Sequence, residues 1–312
     1  MRNNRSRIWN LLLVVGSLAL AFLALEFGFR LLHIPPFPAV EKNPKPPEVN
    51  AQGRRDHGYG YEKKKGIFRI VAVGDSFTWG TGVSRLDDIF LMRLERRLNA
   101  DHRGRYEIVN GSQNGWNTDD EYRWLESEGM RFEPDLIVVV YFFNDATHML
   151  TNPLIANAIY RRATSRSESA LVFWGFLKYR FWRYVLSRQT MQAYKAAYFE
   201  GDKTQLWHQC QADILAIQEL ARQNHSRLLL VVFPILMDLH HRYYFQDIHD
   251  IVVDFLRDHH IRFHSLLPAL AAYPGKVESL WVSIDDAHPN EKGHAIAAQS
   301  IYEYLRDSDL IR

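Results

Sequence analysis

The segment IFRIVAVGDSFTWG, residues Ile67–Gly80, contains the clearest indication of the fold. Its first seven residues are mostly apolar and rich in β-branched side chains, which is typical of a buried strand. Gly74 ends this run, and Asp75 and Ser76 follow in a turn with glycines on both sides. A serine at the carboxyl end of a strand is exposed where an open α/β sheet usually carries its chemistry. The alternative is a plain polar turn whose Asp and Ser satisfy backbone donors.

Strand and helix patterns alternate along the rest of the chain. Apolar runs predict further strands at 106–110, 134–143, 227–233 and 261–264. Helical periodicity predicts helices at 91–98, 119–130, 206–223, 248–258 and 291–306. Buried strands that alternate with helices of ten to twenty residues are typical of a parallel sheet covered by helices on both faces. The sequence therefore predicts an α/β fold.

The N-terminus contains a long apolar segment. Three arginines within the first seven residues precede the uncharged run Ile8–Leu25, which is long enough to cross a bilayer as a helix. Basic residues ahead of the span predict a cytoplasmic stub and a single-pass anchor at 1–33 in the inner (cytoplasmic) membrane, with the rest of the chain facing the periplasm or exterior. The alternative is a cleaved signal peptide and a secreted protein, because Ala19-Leu20-Ala21 resembles a cleavage site. The apolar run continues past Ala21, which favours the anchor.

Two further segments divide the remaining chain. Six prolines between residues 34 and 48 predict an extended linker, so the globular domain is expected at 49–312. Within that domain, residues 146–205 show no clear strand and are too long for a plain connection. Their segment 171–186 is rich in aromatic and basic side chains, which predicts a helical insertion that forms a lid or lies on an anionic membrane surface. The alternative is a helical hairpin whose aromatic side chains pack into the core.

The composition narrows the classes of function. The 312 residues carry a formal net charge of +2, which gives no indication of a nucleic-acid partner. The single cysteine, Cys210, excludes an internal disulfide and lies in an apolar helical pattern, which predicts a buried and unreactive thiol. The cysteine and histidine spacings match no metal site, so neither a metal nor another cofactor is expected.

A base for Ser76 is found near the other end of the sequence. A serine hydroxyl becomes a good nucleophile only when a neighbour takes its proton. His288 precedes the last predicted helix, in a loop after the last strand, and Asp285 stands three residues before it. Asp285 is expected to accept the imidazole N–H and to fix the ring's tautomer. Each residue alone is equally typical of a cap or turn, but together with Ser76 they predict a catalytic triad.

An acyl-transfer site also needs hydrogen-bond donors for the oxyanion that develops on the carbonyl oxygen. Gly115 follows the second predicted strand and can bring its N–H close, because glycine has no side chain. Asn144 ends the third predicted strand and can point its amide into the cleft. Since parallel strands carry their ligands at their carboxyl ends, both residues are expected near Ser76. The alternatives are a simple turn at Gly115 and a strand-ending cap at Asn144.

Taken together, these blocks resemble the SGNH hydrolases, also called GDSL esterases/lipases, which contribute a Ser, a Gly, an Asn and a His in that chain order. The matching blocks are Gly74-Asp75-Ser76, Asn114-Gly115-Trp116-Asn117-Thr118, Phe143-Asn144-Asp145 and Asp285-Asp286-Ala287-His288. The resemblance covers about residues 66–146 and 281–306. In the second block Gly111 is a weaker rival of Gly115. The α/β-hydrolase fold is a poorer match, because Gly74–Thr78 lacks the second glycine of its nucleophile elbow.

The resemblance implies both a fold and a reaction. It implies a flavodoxin-like three-layer α/β/α sandwich with a parallel sheet, and metal-free ester hydrolysis through an acyl-enzyme. It also implies that the oxyanion donors are the backbone amides of Ser76 and Gly115 and the side chain of Asn144. The expected substrate is an acyl-ester small molecule, an acylated envelope glycan or a lipid. The alternatives are an O-acyltransferase with the same triad and a non-catalytic envelope module that binds a glycan or a partner.

Overall fold

The computed structural model describes residues 2–35, 47–102, 105–147, 171–237, 239, 243–283 and 286–311. Two compact units divide the chain, the first at 1–42 and 151–192 and the second at 43–150 and 193–312. Most of the predicted linker at 34–48, and residues 148–170 of the predicted insertion at 146–205, lie outside the described residues. Those domain boundaries therefore stay predictions.

Helices and strands alternate through most of the described chain. In chain order they are α1 (Arg2–Leu31), β1 (Phe68–Gly74), α2 (Ser76–Trp79), α3 (Phe90–His102), β2 (Tyr106–Asn110), α4 (Thr118–Ser127), β3 (Leu136–Phe142), α5 (Val172–Phe199), α6 (Gln205–Gln223), β4 (Arg227–Phe233), α7 (Gln246–Asp258), β5 (Phe263–Ser265), α8 (Leu267–Ala271), β6 (Trp281–Ser283), β7 (Asp286–Pro289) and α9 (Glu291–Asp307). Every strand and helix predicted between residues 67 and 306 is present, with shifts of a few residues at some ends.

The second unit is built on a parallel sheet with the strand order β2-β1-β3-β4-β5. This is the flavodoxin-like order, and the predicted α/β fold is confirmed. All residues of β1 and β3 are buried, which explains why these strands are almost continuously apolar in sequence. The chain moves outward from β1 to β2 and then back past β1 to β3. The carboxyl ends of β1 and β3 therefore form the switch point at which such sheets hold their ligands.

Helices cover both faces of this sheet because the chain crosses from β1 to β2 in one direction and from β2 to β3 in the opposite direction. Right-handed crossovers place α3, which connects β1 to β2, on the face opposite to α4, which connects β2 to β3. The packing agrees, since α3 packs against α9 and α4 packs against α6. Cys210 of α6 is buried and unpaired with another cysteine, and its Sγ lies 3.0 Å from Thr118 Oγ1 of α4. The predicted buried thiol is confirmed.

A short antiparallel pair, β6 and β7, follows the parallel sheet. His288 lies in β7, so the prediction that it belongs to a loop is wrong. Asn290 fixes the junction between β7 and α9. Its side-chain oxygen accepts hydrogen bonds from the first turn of α9, while its Nδ2 donates to Ser279 O and Trp281 O, both at 2.9 Å. This two-sided cap holds the strand that carries His288 against the start of α9.

The first unit contains α1 and most of α5. Within α1, residues Arg7–Leu31 form a helix that is long and apolar enough to cross a membrane, judged by length and composition. None of the most apolar part of this segment is buried. The N-terminus therefore carries a candidate membrane anchor or signal sequence.

Candidate active site

Ser76 lies where the sequence predicted it, directly after β1. It is the first residue of α2, and Asp75 caps that helix by accepting a hydrogen bond from Phe77 N at 2.9 Å. Gly74 has a steric role, because a Cβ there would lie 2.1 Å from Thr78 Oγ1 and 3.2 Å from Val140 Cβ. The glycine lets α2 fold back tightly on the strand end. The local sequence thus directs the Ser76 hydroxyl into the switch point of the sheet.

A chain of hydrogen bonds runs from Ser76 through His288 to Asp286. Ser76 Oγ lies 2.8 Å from His288 Nε2, and His288 Nδ1 lies 2.5 Å from Asp286 Oδ1. Asp286 Oδ1 also accepts a hydrogen bond from His288 N at 3.0 Å. The Phe77 ring lies 5.0 Å from the imidazole and stacks on Phe142 at 3.9 Å, so apolar rings pack beside the histidine. A hydroxyl, an imidazole and a carboxylate in this order can activate a nucleophile.

Among the described residues, Asp286 is the carboxylate that contacts His288. Burial alone would raise the pKa of Asp286, but the hydrogen bonds from the His288 ring and backbone and the charge of the ring hold it below its usual value. Asp285, which the sequence predicted for this position, lies outside the described residues. Asp286 and His288 are two residues apart in β7, so their side chains point to the same face of that strand.

Asn144 is joined to the serine turn through Asp75. It lies in the short 3-10 turn Phe143–Thr147 that follows β3. Its Nδ2 donates to Asp75 Oδ2 at 2.9 Å, while the other carboxylate oxygen of Asp75 holds the first turn of α2. Asp75 is fully buried. The aspartate of the Gly-Asp-Ser block therefore ties the Asn144 amide and the serine turn together, a role that sequence reasoning did not assign.

The two glycines of the second block have different surroundings. Gly111 N donates to Ala72 O at 2.8 Å, and a Cβ at Gly111 would lie 2.1 Å from the Trp124 ring. The N–H of Gly111 is therefore already bonded to β1, and the absence of a side chain at Gly111 leaves room for the Trp124 ring. Gly115 has a φ of 80°, which favours glycine. Its loop is tied to the serine turn, since Gln113 N donates to Gly74 O at 3.1 Å.

Three carboxyl groups in and around the serine turn are buried: Asp75, Glu121 and Asp145. Glu121 is fully buried, and neither of its carboxyl oxygens has a hydrogen-bond partner within the described chain. Burial, and then repulsion from Asp75 and Asp120, raises the pKa of Glu121 well above its usual value. Burial, and then Glu121 and Asp75, raises the pKa of Asp145 in the same way. Among the described residues, no group of three or more Asp, Glu, His and Cys is placed to hold a metal ion.

The raised pKa of Glu121 predicts a specific pH dependence of stability. A carboxyl group that holds its proton more tightly when folded stabilises the fold fully below its unfolded pKa, and loses that contribution as pH rises through its folded pKa. Glu121→Gln removes the ionisation, so we expect the free energy of unfolding at pH 9 to increase by about 1–3 kcal/mol and to fall less steeply between pH 5 and pH 9. Urea unfolding in mild detergent measures both quantities.

The matched control for this prediction is Glu126→Gln. Glu126 is an exposed residue of the same helix. We expect its replacement to leave the pH profile of stability unchanged. Parallel profiles for the wild type and Glu121→Gln would contradict the raised pKa.

The sequence between residues 72 and 296 matches the model of the GDSL-like lipase/acylhydrolase family. No curated protein matches the chain. A solved structure of a catalytic mutant of Axe2, an acetylxylan esterase from Geobacillus stearothermophilus, is similar, with 14% identity over 78% of this chain and 96% of that one and a TM-score of 0.49. TesA is also similar, with 14% identity over 76% and 98% of the two chains and a TM-score of 0.47.

A further similar structure is a two-domain esterase active on acetylated mannans, with 15% identity over 77% of this chain and a TM-score of 0.44. The chain spans about half of that protein, 49% of its length. The family model, in contrast, covers most of the present chain and includes the Ser76 turn and the strand of His288. The protein therefore belongs to the GDSL-like lipase/acylhydrolase family and is a hydrolase of carboxylic esters.

Proposed function

We propose that the protein is a serine esterase that removes acyl groups from an envelope glycan or lipid through an acyl-enzyme intermediate. The observation that carries this proposal is the 2.8 Å contact between Ser76 Oγ and His288 Nε2, two residues that are 212 positions apart in sequence. Such a contact between a hydroxyl and an imidazole at the switch point of an α/β sheet is what nucleophilic catalysis requires.

In the proposed reaction, His288 Nε2 accepts the proton of Ser76 as Oγ attacks the ester carbonyl carbon. The protonated imidazole then donates that proton to the leaving alcohol, and the acyl group stays on Ser76. In the second half, His288 takes a proton from a water molecule as that water attacks the acyl carbon. The imidazolium then returns the proton to Ser76 Oγ as the bond between Oγ and the acyl carbon breaks, and the free acid leaves. Asp286, whose carboxylate lies 2.5 Å from His288 Nδ1, stabilises the imidazolium that forms in each half.

Three donors are proposed for the oxyanion: the Ser76 N–H, the Gly115 N–H and the Asn144 side chain. Asp75 accepts one N–H of the Asn144 amide and leaves the second N–H of the same nitrogen for the substrate. The use of the Gly111 N–H by Ala72 O supports Gly115 as the glycine of this site. Donors held in place before the reaction stabilise the developing charge without reorganisation.

The proposed location is the inner membrane, with α1 as a single-pass anchor and the domain at 49–312 on the periplasmic or exterior side. The apolar helix Arg7–Leu31 supports a membrane segment, and the arginines that precede it support a cytoplasmic amino end. Cleavage after a signal sequence would instead release a secreted enzyme. Detection of the intact N-terminus in the membrane fraction tests this part of the proposal.

Labelling with a serine-reactive fluorophosphonate tests the proposed nucleophile. In the full-length protein we expect one adduct, located on Ser76 by peptide mass spectrometry, since this hydroxyl is paired with a base. Ser127→Ala is the matched control, because Ser127 is an exposed serine at the end of α4, and it should label like the wild type. Labelling that persists in Ser76→Ala would show that another residue reacts and would contradict the proposed nucleophile. A folded wild-type protein that is not labelled would contradict the proposal and favour a binding module.

The substrate class is tested separately from the nucleophile. Acylated envelope glycans and lipids are incubated with the wild type and with Ser76→Ala, and the products are identified by mass spectrometry. A serine esterase releases the free acid in proportion to the deacylated product. A product that appears only when a second hydroxyl acceptor is added would instead assign the protein as an O-acyltransferase.

A further inference from the structure

The end of α1 and the start of α5 are joined by a buried carboxylate in the first unit. Glu26 accepts hydrogen bonds from Val172 N at 2.9 Å and from Phe173 N at 2.8 Å, which are backbone donors of the first turn of α5. Arg30 Nε also donates to Glu26 at 2.7 Å. A carboxylate at this position satisfies N–H groups that have no partner inside the helix and interacts favourably with its dipole. The first turn of α5 is therefore held at the level of Glu26.

Contacts between aromatic rings also hold the first turn of α5 at this position along α1. The Phe173 ring lies 5.4 Å from Phe22 and 5.1 Å from Phe29, which stand one turn before and one turn after Glu26 on α1. Phe29 also contacts Phe176 at 5.1 Å. The apolar run that precedes Glu26, Ile8–Leu25, is about 27 Å long at the rise of an α-helix, close to the thickness of a bilayer's hydrocarbon core. The start of α5 thus lies where a membrane-spanning α1 meets the headgroups.

A stripe of exposed apolar side chains, called here the aromatic stripe, runs along α5 from this point. Its members are Leu171, Trp174, Leu177, Phe181 and Tyr184, with exposed fractions of 40%, 52%, 40%, 59% and 59%. Spacings of three and four residues place all of them on one face of the helix. Gly175 and Tyr179, on another face, are buried. Such a patch on one face of a helix marks a contact surface, because soluble proteins rarely expose so much connected apolar area.

The residue types in the aromatic stripe indicate which kind of surface it contacts. Trp and Tyr are enriched at the boundary between hydrocarbon and water, where the ring is buried and the polar atom stays hydrated. Arg180 is exposed beside the stripe, and Arg188 is exposed one turn past Tyr184, where it stacks on that ring. Basic side chains beside an apolar helix face favour an anionic lipid surface. Phe173, which lies between Leu171 and Trp174 of the stripe in sequence, packs against Phe22, a residue of the span itself. The stripe therefore begins close to the end of the span.

We propose that α5, from Leu171 to Tyr184, lies in the headgroup region of the leaflet from which α1 emerges and inserts the aromatic stripe among anionic lipids. The chain then contacts the membrane through two elements, one that spans the bilayer and one that lies along its surface. This inference rests on the proposed anchoring by α1 and does not depend on the esterase reaction. It also requires that the stripe be covered neither by the protein core nor by a second copy of the chain.

Spin labels on single cysteines test this placement in the full-length chain. In a Cys210→Ala background, Phe181→Cys reports on the stripe, Arg180→Cys is the adjacent off-stripe control, and Val14→Cys reports on the span. The proteins are reconstituted in nanodiscs of phosphatidylethanolamine and phosphatidylglycerol. Accessibility to oxygen, which concentrates in lipid, and to a water-soluble nickel chelate is then measured for each label. Circular dichroism shows that each variant is folded, independently of its activity.

We expect the ratio of oxygen to nickel accessibility at Phe181→Cys to be several-fold higher than at Arg180→Cys, and highest at Val14→Cys. Equal ratios at positions 180 and 181, with a lipid-like ratio at position 14, would overturn the proposal and leave the anchor intact. A label at position 181 that is shielded from both reagents would overturn it in favour of a protein partner. A water-like ratio at position 14 would show that α1 does not span the bilayer. The proposal would then lose its premise, whether or not the protein hydrolyses esters.

Discussion

Ser76→Ala is expected to lower kcat/KM for a short aryl ester by about 10⁴-fold or more. The Ser76 hydroxyl is the group that forms the proposed covalent bond, and no other described side chain contacts His288 Nε2 in its place. His288→Ala should cause a loss of similar size, since an unactivated serine is a poor nucleophile. Initial rates with purified full-length protein in detergent measure both effects.

The double variant gives the sharper test. Ser76 and His288 act in one proton-coupled step, so removing both should cost no more than removing either one. Ser127→Ala, the exposed serine used as the labelling control, should keep wild-type kinetics. Losses that multiply in the double variant, or substantial turnover by Ser76→Ala, would show that the two residues do not act together and would sink the proposed mechanism.

Asp286→Asn is expected to lower kcat by about 10²–10⁴-fold with little change in KM. The substitution keeps the shape of the side chain but removes the charge 2.5 Å from His288 Nδ1, so the imidazolium loses its stabilising partner. The pKa of Asp286 is held below its usual value by His288, which means that this carboxylate stabilises the fold above its unfolded pKa. That contribution is lost as pH falls through the folded pKa.

Asp285→Asn is the matched comparison, because it removes the same charge one residue earlier. Asp286 already supplies the carboxylate beside His288 Nδ1, so we expect Asp285→Asn to retain most of the activity. Asp286→Asn should also make the free energy of unfolding less sensitive to acid than that of the wild type. A large loss in Asp285→Asn and a small one in Asp286→Asn would return the orienting role to the residue predicted from the sequence.

The central strands were predictable because they are buried on both faces. Strands β1, β3 and β4 are nearly continuous runs of apolar residues, and no exposed face interrupts the pattern. The sequence of the pair β6 and β7 contains no such continuous run of apolar residues. Its strands have three and four residues, which is too short for a period to appear, and the cap at Asn290 and pairing between the strands hold it together. His288 was therefore predicted correctly as a neighbour of Ser76 but assigned to the wrong type of element.

The buried acids show a second limit of the sequence. Glu121 follows two other acidic residues and Asp145 follows Asn144, and charged side chains are normally exposed. Their burial follows from the packing of α4 and the turn after β3 behind the serine turn. Asp75 likewise belongs to a motif that the sequence made conspicuous, but its bond to the Asn144 amide depends on two strand ends lying side by side.

The α/β fold and the apolar N-terminal helix could be predicted from the sequence alone, because the period of apolar residues and the glycine that ends a strand are visible within a dozen residues. The family could be predicted because its four short motifs occur in the expected order along the chain. The contact between Ser76 and His288, the packing against Gly111 and the exposed face of α5 follow only from the tertiary structure, because each depends on groups from separate parts of the chain.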